Sequence, residues 1–250
     1  MNLGTLVWLI PLLPLASFFI ILLFTRHNKR VSDIVAVASV LGMWVVAIIV
    51  LVSAISTPHL GENPISSRFL WLPLGPSAET SLFMGALVDP LTAVMLFFVP
   101  LTATMIFIYS TGYMASGQYW TAITGTEGHA GHTAPGEAGA GAAADVGAGR
   151  DVDPVVDSAG RLLVPFDATV WKARFMAYIS LFAAGMLFLT IADNLLLLFI
   201  GWEIMGFCSY ALIGFWHNRV YPNQPDRMTP MVAGIKAFMT TRVADVIMLL

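Results

Sequence analysis

The chain has 250 residues, of which 58% are hydrophobic and 11% are charged, and its formal net charge is -3 at pH 7. Soluble domains have a charged fraction of about 25%, so this composition predicts an integral membrane protein. The few charges form no basic patch, which argues against a nucleic-acid partner. The single cysteine, Cys208, excludes an internal disulfide and is predicted to be a buried structural thiol.

Residues 1–115 predict three membrane-spanning helices, at about residues 3–24, 31–55 and 87–115. The first contains Pro11 and Pro14, which transmembrane helices tolerate, and it lacks the features of a cleaved signal peptide. Residues 56–86 are rich in Pro, Ser and Gly, which indicates an outer interfacial loop with room for a short paired segment. Asp89 followed by Pro90 is typical of a helix start.

Residues 116–170 are dominated by Gly, Ala, Asp and Thr and predict a flexible cytoplasmic insertion without a core of its own. His129 and His132 have the spacing of helical metal ligands, but the flanking glycines argue against a rigid helix, so we expect no metal site. The glycines between residues 136 and 149 resemble a dinucleotide-binding loop in composition only, because the sequence predicts neither a preceding strand nor a following helix.

Residues 171–250 predict three more spans, at about 171–192, 193–216 and 229–250, with Asp193 and Asn194 in a tight polar turn between the first two. The predicted fold is therefore an all-α polytopic bundle of about six transmembrane helices. The last helix reaches Leu250 without a capping residue or polar tail, so we expect a fragment of a longer chain.

The distribution of Lys and Arg predicts the orientation. With the amino terminus outside, only Arg68 lies in an outer loop. The inner side then holds Arg26, Lys29, Arg30, Arg150, Arg161, Lys172, Arg174, Arg219 and Arg227. We therefore expect a multi-pass protein of a bacterial plasma membrane with its amino terminus outside.

Four charged residues fall within the last two spans: Glu203, Lys236, Arg242 and Asp245. Helical rise places Glu203 at roughly 14 Å and Arg242 at ~12 Å below the outer boundary of a ~30 Å core. The two side chains are therefore expected to meet across consecutive antiparallel helices. Arg242 and Asp245 share a face as an i, i+3 pair, whereas Lys236 points the opposite way.

A carboxylate beside a cation inside a membrane is typical of a switchable proton site, which is our hypothesis for Glu203. The Arg242 and Asp245 pair would tune its proton affinity. Structural interpretations remain open: a hydrogen-bonded tie at Glu203, a buried ion pair of Arg242 with Asp245, and a snorkelling Lys236. A non-pumping scaffold is the corresponding alternative for the whole chain.

Three sequence strings carry a family resemblance: DNLLLLFIGWEIMGFCSYALIGFW at 193–216, KAFMTTRVADV at 236–246 and VDPLTAVMLFFV at 88–99. They resemble the L subunit of proton-pumping NADH:quinone oxidoreductase (respiratory complex I), the largest of its antiporter-like subunits. In that family the residue matching Glu203 is the essential carboxylate of a proton half-channel. Arg242, Asp245 and Lys236 match its sixth-helix arginine, aspartate and lysine.

The resemblance implies proton translocation coupled to NADH oxidation and quinone reduction in other subunits. NADH, FMN, iron-sulfur clusters and quinone are then expected in those partners, with no cofactor or metal on this chain. The expected partners are other membrane-arm subunits, especially the neighbouring antiporter-like subunit, together with membrane lipids. The long insertion at 116–170 departs from the family, and the partner lysine of a seventh helix would lie beyond Leu250. A large subunit of a multisubunit cation/proton antiporter is the alternative within the same architecture.

Overall fold

The computed structural model describes residues 3–25, 28–73, 81–114, 118–122, 155–156, 162–167, 169–216 and 229–249. These residues form six α-helices: α1 Leu3–Ile20, α2 Lys29–Ser56, α3 Pro90–Tyr113, α4 Thr169–Ile191, α5 Leu195–Ile213 and α6 Pro230–Leu249. A π-helical turn, Ile21–Thr25, continues α1. The strands are β1 Ile65–Leu72, β2 Leu82–Val88, β3 Gln118–Ala122, β4 Val155–Val156 and β5 Leu162–Asp167.

Five helices, α1 to α5, are long and apolar enough to cross a membrane. The sixth, α6, has 20 residues and matches a ~30 Å core in length, but its three charged side chains set it apart in composition. The predicted all-α membrane bundle is confirmed, and each of the six predicted spans corresponds to one helix.

The helix α4 lies at the centre of the described bundle and contacts α1, α2, α3 and α5, whereas α6 packs mainly against α5. The hydroxyls of Ser17 in α1 and Ser180 in α4 form a buried hydrogen bond of 3.2 Å. Glycines bring α4 and α5 together, since a Cβ added at Gly201 would lie 2.8 Å from the carbonyl oxygen of Gly185. Small residues at such crossings let transmembrane helices approach closely.

Polar residues cap two of the helices, at the predicted helix start of α3 and in the predicted polar turn before α5. The Asp89 carboxylate accepts a hydrogen bond from the Thr92 backbone N–H at 2.6 Å, immediately before Pro90. Asn194 caps α5 by accepting from the Leu197 N–H at 2.8 Å. These side chains satisfy backbone donors that have no partner within the helix. The third helix therefore begins at Pro90, as the Asp89–Pro90 pattern predicted, and Leu82–Val88 before it pairs as a strand.

The segment between α2 and α3 contains an antiparallel β1–β2 hairpin that is attached to the turn between α4 and α5. The Asp193 N–H donates to the Gly85 carbonyl at 3.0 Å, and the Asn194 side chain donates to the Phe83 carbonyl at 2.7 Å. Arg68 in β1 forms an ion pair with Asp193, whose hydrogen bond and charge raise the pKa of the guanidinium. The start of α5 is thereby fixed to the hairpin.

The two ends of the 116–170 segment pair with each other in a small antiparallel sheet of order β3–β5–β4. Strands therefore form at both ends of the segment for which the sequence predicted a flexible insertion without a core. Aromatic and aliphatic residues concentrated in QYWTA and LLVPFD suit paired strands, whereas composition averaged over the segment concealed them. His129, His132 and the glycines between 136 and 149 lie outside the described residues.

Candidate functional site

The expected contact between α5 and α6 is present as an ion pair between Glu203 Oε2 and Arg242 Nη1. The two side chains are 24% and 30% exposed, respectively. Glu203 lies in the middle of α5, a helix without another acidic or basic residue. A guanidinium on the neighbouring helix therefore compensates a carboxylate that would be costly alone in the bilayer.

Asp245 lies one turn beyond Arg242 in α6 and is buried, with 7% of its surface exposed. Its Oδ2 is 3.8 Å from Arg242 Nη1, and its Oδ1 accepts a hydrogen bond of 2.9 Å from the Trp202 indole N–H. Trp202 was not predicted as a site residue. Two features of the sequence could have indicated it. Trp202 directly precedes Glu203, and an indole in an apolar helix has one polar group, its N–H, that needs a hydrogen-bond partner.

The surroundings of Arg242 hold its guanidinium between α5 and α6. Its Cζ lies 4.7 Å from the centroid of the Phe238 ring, a cation–π arrangement, and Phe238 in turn contacts the Tyr210 ring at 5.2 Å. A Cβ at Gly206 would lie 3.6 Å from Arg242 Nη2, an ordinary contact distance, so the guanidinium lies directly beside Gly206. Arg242 Nε is buried and has no hydrogen-bond partner among the described residues.

Lys236 is placed away from this cluster. It is exposed on α6, whereas Asp245 is buried against α5, as their predicted opposite directions require. The cluster therefore consists of Glu203, Arg242, Asp245 and Trp202.

Two carboxylates share one guanidinium in this cluster. If both carboxylates are ionised, one negative charge remains inside the membrane, where an uncompensated charge is strongly disfavoured. Binding of one proton, or the approach of a second cation, would neutralise the group. Within the described residues no group of three or more His, Cys, Asp or Glu side chains is arranged to hold a metal ion.

A further ion pair, which was not predicted, lies at the start of α4. Lys172 at the start of α4 is 6% exposed, and its Nζ is 2.6 Å from Asp33 Oδ2 in α2. The same ammonium donates to the Thr111 carbonyl at the end of α3 at 3.1 Å. The start of α2, the end of α3 and the start of α4 therefore meet on one side, the predicted inner side.

Comparison with known families matches two segments of the chain. Residues 71–121 match the family described as NADH-ubiquinone oxidoreductase (complex I), chain 5 N-terminus. Residues 192–250, which contain Glu203, Arg242 and Asp245, match the NADH:quinone oxidoreductase/Mrp antiporter transmembrane family. The chain is an antiporter-like relative of complex I subunits. The resemblance predicted from the sequence strings is confirmed.

Individual antiporter-like relatives agree with this assignment. The chain is 30% identical over 242 residues to F(420)H(2) dehydrogenase subunit L of Methanosarcina mazei, covering 97% of this chain and 26% of that protein. It is 30% identical over 245 residues to the chloroplastic NAD(P)H-quinone oxidoreductase subunit 5 of Anthoceros angustus, covering 95% and 24%. The corresponding protein of Chara vulgaris is 28% identical over 250 residues, covering 97% and 28%.

The chain thus spans about a quarter of the length of the curated relatives it matches. The second family description covers both quinone oxidoreductases and antiporters, whereas these three relatives are all named as subunits of dehydrogenases or quinone oxidoreductases. Their names favour the quinone oxidoreductase interpretation over the cation/proton antiporter.

Proposed function

We propose that this chain is part of a proton-translocating subunit in the membrane arm of an NADH:quinone oxidoreductase. NADH, FMN, iron-sulfur clusters and quinone belong to partner subunits, and a neighbouring antiporter-like subunit is the nearest partner. The chain lies in a bacterial plasma membrane with its amino terminus outside and residues 116–170 in the cytoplasm. The excess of Lys and Arg on one side of the predicted spans supports this orientation.

In this proposal Glu203 is the group that accepts and releases the proton. A proton on Glu203 removes the charge that holds Arg242, and the guanidinium then has Asp245, 3.8 Å away, as its remaining carboxylate partner. Loss of the proton draws Arg242 back. The hydrogen bond from Trp202 holds Asp245 in place through this exchange. Lys236 supplies a second cation on α6.

The observation that carries the proposal is one guanidinium shared by two carboxylates inside the apolar part of the bundle. Such an arrangement cannot be neutral in all its ionisation states, so its charge is sensitive to proton binding. A purely structural ion pair needs only one acid and one base.

The test is Glu203→Gln in the full-length subunit within its native complex, reconstituted into vesicles. Glutamine keeps the size of the side chain and removes the protonatable oxygen. We expect the rate of NADH-driven proton pumping to fall at least about tenfold, because glutamine cannot bind the transferred proton and a barrier raised by about 1.4 kcal/mol already slows a step tenfold. Glu62→Gln is the matched control, since Glu62 is exposed in the outer loop.

The readouts are NADH-driven quinone reduction, acidification of the vesicle lumen and subunit composition. Full pumping by an assembled Glu203→Gln complex would overturn the proposal. Loss of assembly with normal pumping in the residual complex would identify Glu203 as a structural tie. Exchange of Na⁺ for H⁺ without NADH would identify the protein as a cation/proton antiporter instead.

A further inference from the structure

A groove of about 300 Å³ separates the inner parts of α4, α5 and α6. Polar or amphipathic side chains line part of it: Trp171, Arg174, Tyr178 and Tyr210. This differs from the wider groove of about 600 Å³ between α3, α4 and α5, whose lining is almost wholly apolar. The smaller groove therefore has the chemistry to bind a polar ligand.

Among the described residues that line this groove, Arg174 is the only cation. Its Cζ lies 4.6 Å from the centroid of the Trp171 ring, so the ring orients the guanidinium. Within the described part of the chain no carboxylate lies within salt-bridge distance of Arg174, whereas Lys172, Arg68 and Arg242 all have acidic partners. Arg174 is exposed, and its N–H donors are available to an anion.

The groove lies at the level of the membrane boundary. Arg174 is within the first turns of α4, Gly214 follows the last residue of α5, and Met231 is the second residue of α6. These three helix ends share the side on which Lys172 and Asp33 meet. Phe207 and Met231 line the same groove and are 47% and 54% exposed, which gives it an apolar rim beside the polar groups.

We propose that this groove binds the phosphate group of an anionic membrane lipid. Arginine presents paired N–H donors that match phosphate oxygens, and the hydroxyls of Tyr178 and Tyr210 can donate further hydrogen bonds. The exposed Phe207 and Met231 side chains contact the acyl chains. Basic pockets between transmembrane helices are recognised sites for anionic headgroups. A free phosphate ion shares the headgroup chemistry but makes no use of the apolar rim.

This site is separate from proton transfer at Glu203, so it stands whether or not the chain pumps protons. A bound lipid would contact α4, α5 and α6 together. Among the described helices α6 packs mainly against α5, so the lipid would add a second contact for α6.

The experiment uses the full-length protein in its native complex, in phosphatidylcholine nanodiscs that contain phosphatidylglycerol with a photoreactive diazirine near its glycerol backbone. Peptide mass spectrometry measures labelling of residues 171–178 and 207–215. We expect Arg174→Gln to reduce this labelling about tenfold, which is the effect of losing one charge-assisted hydrogen-bond partner. Arg30→Gln is the matched control, because Arg30 is an exposed cation at the same end of the bundle and does not line the groove. It should leave labelling unchanged.

Two further arms identify the source of the phosphate. Photoreactive phosphatidylcholine should label the groove much less than phosphatidylglycerol, and millimolar inorganic phosphate should not displace the lipid. If the Arg174→Gln variant fails to assemble, two measurements replace it. One is competition between the two lipids in the wild-type complex, and the other is labelling of the milder Arg174→Lys variant, which should lose less labelling than Arg174→Gln. Equal labelling by both lipids, displacement by inorganic phosphate, or absence of labelling in wild type would overturn the proposal.

Discussion

The crossing of α4 and α5 at two glycines gives the sharpest stability prediction. A Cβ added at Gly201 would lie 2.8 Å from both the Gly185 carbonyl oxygen and the Leu189 backbone nitrogen. Both contacts are with backbone atoms, which cannot rotate away as a flexible side chain can. Gly201→Ala must therefore push α4 and α5 apart, two residues from Glu203.

Overpacking of this kind costs about 1–3 kcal/mol, and a contact with backbone belongs at the upper end of the range. Alanine is favoured over glycine inside a helix by up to ~1 kcal/mol, which offsets part of the cost. We expect Gly201→Ala to destabilise the α4–α5 contact by about 1–2 kcal/mol. Gly112→Ala is the matched control, because a Cβ at Gly112 meets no atom within 4 Å and the substitution should be neutral or stabilising.

The assay is maleimide labelling of Cys208 in the full-length protein, followed by peptide mass spectrometry. This thiol is fully buried in α5, so labelling requires the helix to separate from its neighbours. Gly201→Ala should speed labelling roughly five- to thirtyfold, which corresponds to the expected free energy. Equal labelling rates in the Gly201→Ala and Gly112→Ala variants would refute the close-packing argument.

Two further substitutions test contacts that the structure revealed. Trp202→Phe removes the 2.9 Å hydrogen bond to Asp245, an interaction worth about 1.5–3 kcal/mol, and should reduce proton pumping by the assembled complex. Trp44→Phe is the control and should have little effect, because the Trp44 indole nitrogen has no hydrogen-bond partner among the described residues. Lys172→Met leaves the Asp33 carboxylate without its ammonium partner and should lower the free energy of unfolding, measured by denaturant titration, by about 2–4 kcal/mol. Adding Asp33→Asn should restore part of this stability, and no gain in the double variant would contradict the ion-pair explanation.

The helices were predictable from the sequence because the bilayer imposes strong and local rules. A span needs about 20 apolar residues, and caps such as Asp89 and Asn194 mark its start. The contact of Glu203 with Arg242 was also predictable, since a fixed rise per residue places both at one depth on consecutive helices. The roles of Glu203, Arg242, Asp245 and Lys236 in proton translocation stay predictions.

The remaining contacts depend on how each helix is rotated about its axis and on which element it packs against. The helical rise per residue determines neither. The sequence predicted Lys172 only as one of the basic residues on the inner side. In the structure it pairs with Asp33, on a helix more than a hundred residues earlier in the chain. Pairing of β3 with β5 joins residues that are about 45 positions apart, across a segment whose average composition predicts a flexible insertion without a core. Pairing between distant strands leaves little signal in a single sequence, because the residues that favour a strand do not identify the strand with which it pairs.

The position of Glu203 follows from two constraints on α5. Just before its amino-terminal end, Asp193 is held by β1 and β2 through an ion pair and a backbone hydrogen bond. Two residues before the carboxylate, Gly201 is packed against the backbone of α4. Among the described elements, α6 packs mainly against α5, where its Gly234 lies close to the Tyr210 and Gly214 backbone about two turns before Arg242. We therefore expect a change in the Glu203–Arg242 contact to require less work when the Arg242 end of α6 moves than when α5 does, because moving α5 also breaks its contacts with β1, β2 and α4.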